Sequence, residues 1–302
     1  MTVYGQQDLL FTQFAYDKLG VNPAYAGAHD HISLMALYRN QWIGLNGAPT
    51  HFALSANLPA LAQNIGFGIQ LEQSSISIFN RTTMDGSFGY QIPISKGVIH
   101  MGLSVSFRVF VADFSDPRLV PPDGFAMDPA VDQIKYSKRI FNTGFGVYYN
   151  NDKFYAGASI PRLSKSNLDF NDEVDPLNGT EIRHLYVMTG GKWRVSRYWE
   201  LSPQLLIKLP ENTPLKVELN LSGIFDKRYH LGLNYSSGGS TAIESLDIIL
   251  GFQYSNQLFF GLAYDISLSS LKRAESGSLE LIANYRFVKK NLADIIINPR
   301  YY

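Results

Sequence analysis

The chain has no cysteine among its 302 residues, so it carries no disulfide, no thiol nucleophile and no cysteine-ligated metal. It has no apolar run of about eighteen residues, which excludes a helical membrane span. It lacks excess charge of either sign: 26 Lys and Arg face 26 Asp and Glu, so nothing electrostatic recruits nucleic acid. Charged residues reach only 17%, below the roughly 25% of soluble domains. Catalytic signatures are missing too. No HxxxH or HExxH zinc spacing occurs among the six histidines, no GxSxG elbow is present, and Thr189-Gly190-Gly191-Lys192 lacks the frame of a phosphate-binding loop. Ser104, Ser106 and His100 share one strand face, but such faces are routinely rich in serine. We therefore expect no enzyme, no cofactor and no metal. His29 and His31 read as solvated loop histidines.

What the chain does have is alternation. In Val98–Val109 every second residue is apolar: Ile99, Met101, Leu103, Val105, Phe107 and Val109. His100, Gly102, Ser104, Ser106 and Arg108 lie between them. That is a β-strand with one apolar face and one wet face. At about 3.3 Å per residue it runs close to 40 Å, enough to cross a bilayer when tilted.

Fourteen candidate strands follow one another, the fourth less regular than the rest: 31–39, 50–58, 64–72, 82–92, 98–109, 141–150, 154–160, 183–190, 197–209, 215–225, 228–236, 246–254, 258–266 and 278–287. Every second connection is short, as at 93–97, 151–153 and 226–227. The alternate ones, including 73–81, 110–140 and 161–182, are mostly long, with 210–214 the one exception. Short turns on one side and long loops on the other are the build of an outer-membrane barrel, and an even count puts both termini on the short-turn, periplasmic side. The expected fold is all-β, an antiparallel up-and-down transmembrane barrel of about fourteen strands spanning 31–288. Residues 1–30 precede it and a tail, 289–302, follows.

Val3 and Gly5 suit a signal-peptidase site, and residues 1–5 read as its remnant. Leu9, Leu10, Phe11, Phe14, Ala15 and Leu19 suggest a short amphipathic helix ended by Gly20 and Pro23. This segment is long enough to fill the lumen.

The faces opposite the apolar ones carry Glu72, Arg108, Glu200, Lys208, Lys216, Glu218, Asp247, Asp265, Glu280 and Arg286. Toward lipid each Lys or Arg costs about 2–4 kcal/mol at mid-depth, so these residues are expected to line the lumen. Their signs balance, which indicates no selective pore. Two loops of roughly 31 and 22 residues are acidic, the second including Asp172 and Asp175. Solvated surface fits them better than calcium, since no EF-hand spacing appears. Phe114, Leu119, Phe125 and Met127 make the first apolar enough to cover the mouth or bind a partner.

Asn22-Pro23-Ala24-Tyr25-Ala26-Gly27, then Leu37-Tyr38-Arg39-Asn40-Gln41-Trp42-Ile43-Gly44 leading to Gly47-Ala48-Pro49-Thr50, and the Asn298-Pro299-Arg300 ending resemble the PorP/SprF family of type IX secretion membrane proteins. The resemblance implies a Bacteroidota outer-membrane barrel serving secretion or gliding motility, set among outer-membrane lipids. Some members partner a surface adhesin and recognise its C-terminal secretion domain; others tie periplasmic ring components to the membrane. Trp42 and Pro49 are then candidate partner contacts. Each also has a structural role open to it, Trp42 as an interface anchor and Pro49 as a turn former. A passive pore is the remaining alternative, since a barrel of this size holds a channel unless filled.

Overall fold

The computed structural model describes residues 14–60, 64–114, 135–167, 180–211, 214–237, 245–268 and 275–287. Among them fourteen wall strands form one antiparallel sheet closed on itself, to which the two-residue strand Trp193–Arg194 adds a short fifteenth piece. They are β1 (Ile32–Asn40), β2 (Thr50–Leu58), β3 (Ile65–Ile76), β4 (Phe79–Ile94), β5 (Gly97–Asp113), β6 (Lys135–Asn150), β7 (Phe154–Ile160), β8 (His184–Gly191), β9 (Trp199–Pro210), β10 (Lys216–Phe225), β11 (Tyr229–Ser237), β12 (Ser245–Gln253), β13 (Leu258–Ser267) and β14 (Ser278–Phe287). Each pairs with its neighbours in sequence, and β1 closes on β14 with Ile32 opposite Phe287 and Asn40 opposite Leu279. The connection from β7 to β8 carries a small hairpin, Ser166–Asn167 with Thr180–Glu181.

Closure follows from the solvent. Hydrocarbon offers no hydrogen-bond partner, so every backbone amide at membrane depth must pair with another strand. The side chains obey the same constraint. On β5, Met101, Leu103, Val105 and Phe107 point outward and exposed, while His100, Ser104, Ser106 and Arg108 are buried between them.

The four strands β3–β6 are taller than the alternation indicated, at 12, 16, 17 and 16 residues. The connection expected at 73–81 is a turn at Ser77 and Ile78, with Ser77 at φ 52°. Most of its supposed loop is therefore strand, and the short connections are less strictly segregated than expected. The reason is that strand pairing continues above the lipid, where an apolar outward face is no longer required. Thr82, Lys135, Ser137 and Arg139 occupy outward positions there.

The N-terminal reading also changes. The helix is four residues, Lys18–Val21, followed by a 3-10 turn, Pro23–Tyr25. Gly20 lies inside the helix rather than ending it. Asp17 caps the first element and Asn22 the second, each accepting a backbone amide two or three residues on. Leu9, Leu10 and Phe11 lie outside the described residues.

Leu103 is 57% exposed at the middle of β5. Leu103→Arg is expected to cost about 2–4 kcal/mol in equilibrium unfolding from lipid vesicles, while Thr82→Arg, above the apolar band, costs about 0–1 kcal/mol. Equal costs would contradict this placement of the membrane.

Candidate functional site

The inner face of the barrel breaks its own alternation at particular places. Met35, Leu37, Ala53, Phe259 and Ile282 are buried apolar residues on the inward side of β1, β2, β13 and β14. Ala15 and Tyr16 pack on them, and the Tyr16 ring stacks on Phe259 with centroids 4.8 Å apart. Tyr148, Tyr155, Tyr186, Met188 and Leu206 do the same on β6–β9, against Phe14, Leu19, Val21, Ala24, Tyr25 and Ala26. The N-terminal segment is thus a plug inside the barrel. Burying each of its large apolar side chains contributes about 1.5–3 kcal/mol.

Asn22–Gly27 lies across the wall on a track of glycines. Gly66, Gly89, Gly102 and Gly146 stand directly opposite one another on β3, β4, β5 and β6. A Cβ on Gly66 would strike Gly27, one on Gly89 would strike Ala26, one on Gly102 would strike Ala24, and one on Gly146 would strike Asn22. Gly27 itself sits at φ 76°, a conformation other residues rarely adopt.

The wall also satisfies the strap's polar atoms. Asn22 Nδ2 donates to Val147 O at 2.9 Å, Asn57 Nδ2 donates to Tyr25 O at 3.0 Å, and Gly27 N donates to Asn57 Oδ1 at 2.8 Å. Gln91 Nε2 donates to Gly27 O, and Ser159 Oγ donates to Val21 O at 2.7 Å. A buried backbone left unpaired would cost as much as a hydrogen bond lost, so this accounting fixes the strap's path.

Elsewhere on the inner face charges pair. Arg39 spans two strands, its guanidinium donating to Glu280 at 3.1 Å and to Asp265 at 2.8 Å. Asp247 lies opposite Asp265 and accepts from Asn234 at 2.7 Å. Lys208 stands 3.4 Å from Glu218, and Arg286 donates to Gln253 at 2.8 Å. Glu72 and Lys216 are half-buried on the same inner face, and Glu200, also buried there, lies between Lys192 and Arg194. Arg108, with no exposed surface, makes a two-pronged pair with Glu181 of the small hairpin. That pair ties Glu181, at the C-terminal end of the β7–β8 connection, to the inner wall. Asn142 on β6 holds the same connection by bonding both N and O of Ser164.

A family model described as "Type IX secretion system membrane protein PorP/SprF" matches residues 3–285. The chain belongs to the PorP/SprF family. No curated protein matches it. Among solved structures, the Ralstonia pickettii toluene transporter TbuX is 11% identical over 89% of this chain and 93% of that one, with a TM-score of 0.52. The TodX deltaS2S3 mutant, a monoaromatic hydrocarbon channel, has the same identity and coverage at a TM-score of 0.50. The Acinetobacter baumannii outer membrane protein Omp33 is 7% identical over 86% and 100% of the two chains, with a TM-score of 0.49. At such identities the likeness to TbuX and TodX shows the barrel fold alone.

In this PorP/SprF barrel the signature residues have structural work. Trp42 takes φ 53° in the β1–β2 connection and its amide reaches Ser278 Oγ at 3.3 Å. Pro49 is buried and its carbonyl accepts from Gln41 at 2.9 Å. Phe114 packs edge-on to Tyr136 at 5.6 Å. Leu119, Phe125, Met127, Asp172 and Asp175 lie outside the described residues. His31 is not solvated: it is buried and bonded to Asp30 at 2.6 Å, with His29 edge-on to it at 5.1 Å. The reason is that both fall where the plug passes into β1. Sequence reasoning missed Arg39, Glu181 and the plug contacts. The inward Met35 and Leu37, apolar where the lumen was expected to be wet, were the available signal.

Two outcomes test this site. Gly102→Val should displace the strap and raise planar-bilayer conductance, whereas Gly86→Ala, where a Cβ meets nothing within 4 Å, should leave it unchanged. Burial raises the Asp17 carboxyl to about 6, against opposing hydrogen bonds from Gly20 and Gln70. Its neutral form therefore favours the docked plug. That stabilisation is full below about pH 4 and is lost as pH rises through about 6, a dependence that Asp17→Asn removes in hydrogen exchange of plug amides.

Proposed function

We propose that this outer-membrane barrel is a non-enzymatic receptor of the type IX system, holding the C-terminal secretion domain of a partner surface adhesin at its long-loop rim. The carrying observation is that the lumen is occupied from within. Phe14–Ala28 pack against the inner wall, and Arg108, buried on β5, holds Glu181 of the β7–β8 connection against that wall toward the other end. A barrel filled in this way is poorly suited to passive diffusion, which weighs against the pore reading. Its useful surface is then its rims.

The tall wall of β3–β6 supports the choice of rim. It extends on the side of the 115–134 connection, beyond the apolar band, and presents Lys135 and Arg139 outward there. In this reading that rim faces the cell exterior and both termini face the periplasm. The lipids of the outer membrane surround the apolar band.

Co-purification of the adhesin C-terminal domain from detergent extract tests the proposal. Replacing 115–134 with a short Gly-Ser linker spares β5 and β6, and should lower capture at least tenfold while heat-modifiable migration of the barrel persists. Undiminished capture would remove this rim from the contact.

A further inference from the structure

The opposite, short-turn rim carries a basic cleft of about 340 Å³ between two turns, those joining β8 to β9 and β10 to β11. The first contributes Arg194, Arg197 and Tyr198, and the second Asp226, Lys227 and Arg228. The second is held in one shape: Asp226 and Lys227 both adopt positive φ, 48° and 57°, the geometry of a tight hairpin turn. The Asp226 amide donates to Tyr198 O at 2.8 Å, which locks the turns together. On the first turn the amides of Tyr198 and Trp199 both donate to Ser196 Oγ, at 3.2 and 3.1 Å.

Charge is unbalanced here. Glu200, buried at the floor, has one oxygen 2.6 Å from Lys192 and the other 3.5 Å from Arg194. Its charge is therefore already committed. Arg197, Lys227 and Arg228 make no ion pair among the described residues, and Asp226 is the remaining carboxylate of the cleft. Three exposed cations around a preformed hollow are suited to an anion with several oxygens, and guanidinium forks match phosphate in particular.

The surroundings decide which phosphate. Trp193, Tyr198, Trp199, Phe225 and Tyr229 are all exposed on or beside the same two turns. Their rings form a belt, with Trp199 to Phe225 at 5.1 Å, Tyr198 to Phe225 at 6.3 Å and Phe225 to Tyr229 at 6.5 Å. Exposed amphipathic rings of this kind mark the level of lipid headgroups. The cations thus sit at the depth of the phosphates and beside the start of the apolar band. A soluble acidic partner needs the cations but not the belt.

We propose that this cleft is a phospholipid site, in which Arg197, Lys227 and Arg228 hold the phosphate and the acyl chains run along the aromatic belt. The site is independent of adhesin binding at the far rim, so either can fail alone. Attraction between basic residues and anionic lipid at a membrane surface supplies the recognition.

Native mass spectrometry of the full chain in detergent, titrated with dioleoyl phosphatidylglycerol, tests it. One lipid should be retained, with Arg197→Ala/Arg228→Ala weakening retention at least tenfold and Lys135→Ala/Arg139→Ala at the other rim leaving it unchanged. Dioleoylglycerol, which lacks the phosphate, should not be retained. Unaltered retention by the Arg197/Arg228 variant overturns the proposal. Displacement by an equal concentration of inorganic phosphate makes this a free-anion site, and displacement by oligoglutamate makes it an acidic-protein site; either overturns the lipid assignment. If the double variant loses heat-modifiable migration, Lys227→Glu in the exposed turn gives the same test, with at least tenfold loss expected and none overturning it.

Discussion

The structure depends on one constraint: backbone amides and carbonyls placed in hydrocarbon have no partner except one another. A sheet with free edges would leave two strands' worth of such groups unpaired, so β1 must meet β14. Once the sheet is closed, side chains divide between lipid and interior with a period of two, and the outward face becomes the nearly uninterrupted apolar surface of Leu103, Leu219, Leu231 and their neighbours. Closure also creates an interior that must be dealt with. A ring of fourteen strands encloses more volume than its own side chains fill.

This chain places residues 14–28 of its own N-terminal segment in that interior. The solution is specific because a strap running across the strands can approach the wall only where side chains are missing. The row Gly66, Gly89, Gly102 and Gly146 clears that path, and Asn22, Asn57, Gln91 and Ser159 pair the strap's polar atoms along it. Glycine here serves close approach rather than flexibility. The apolar residues Met35, Leu37, Met188 and Leu206, inward where water would otherwise stand, are the other half of the same fit. Above the plug, Arg39 with Asp265 and Glu280, and Arg108 with Glu181, occupy the remaining interior. A buried guanidinium without its carboxylates would be strongly destabilising, so these pairs tie non-adjacent elements, including the β7–β8 connection, to fixed positions on the wall.

The two rims then differ for physical reasons. At one, long strands continue past the lipid because pairing persists where apolarity is no longer needed. At the other, tight turns bring cations and amphipathic rings together at headgroup depth. The proposed receptor reading draws on these rims, since residues 14–28 already engage the interior.

The sequence by itself determined the strand number, the face each strand turns to lipid and the family, because period-two alternation is local and lipid enforces it residue by residue. All fourteen segments were legible for that reason, from Val98–Val109 to 278–287. Strand ends were not: above the apolar band Thr82 and Lys135 answer to pairing alone, so 73–81 resembled a loop. The partners were not legible either. Arg39 and Asn22–Gly27 looked only like parts of a signature, because their roles arise from residues tens to hundreds of positions away. Only closure of the barrel decided that four scattered glycines form one row, that Glu181 meets Arg108, and that the segment ahead of β1 lies inside the wall. Such contacts depend on register and curvature around the whole ring, which no local pattern encodes.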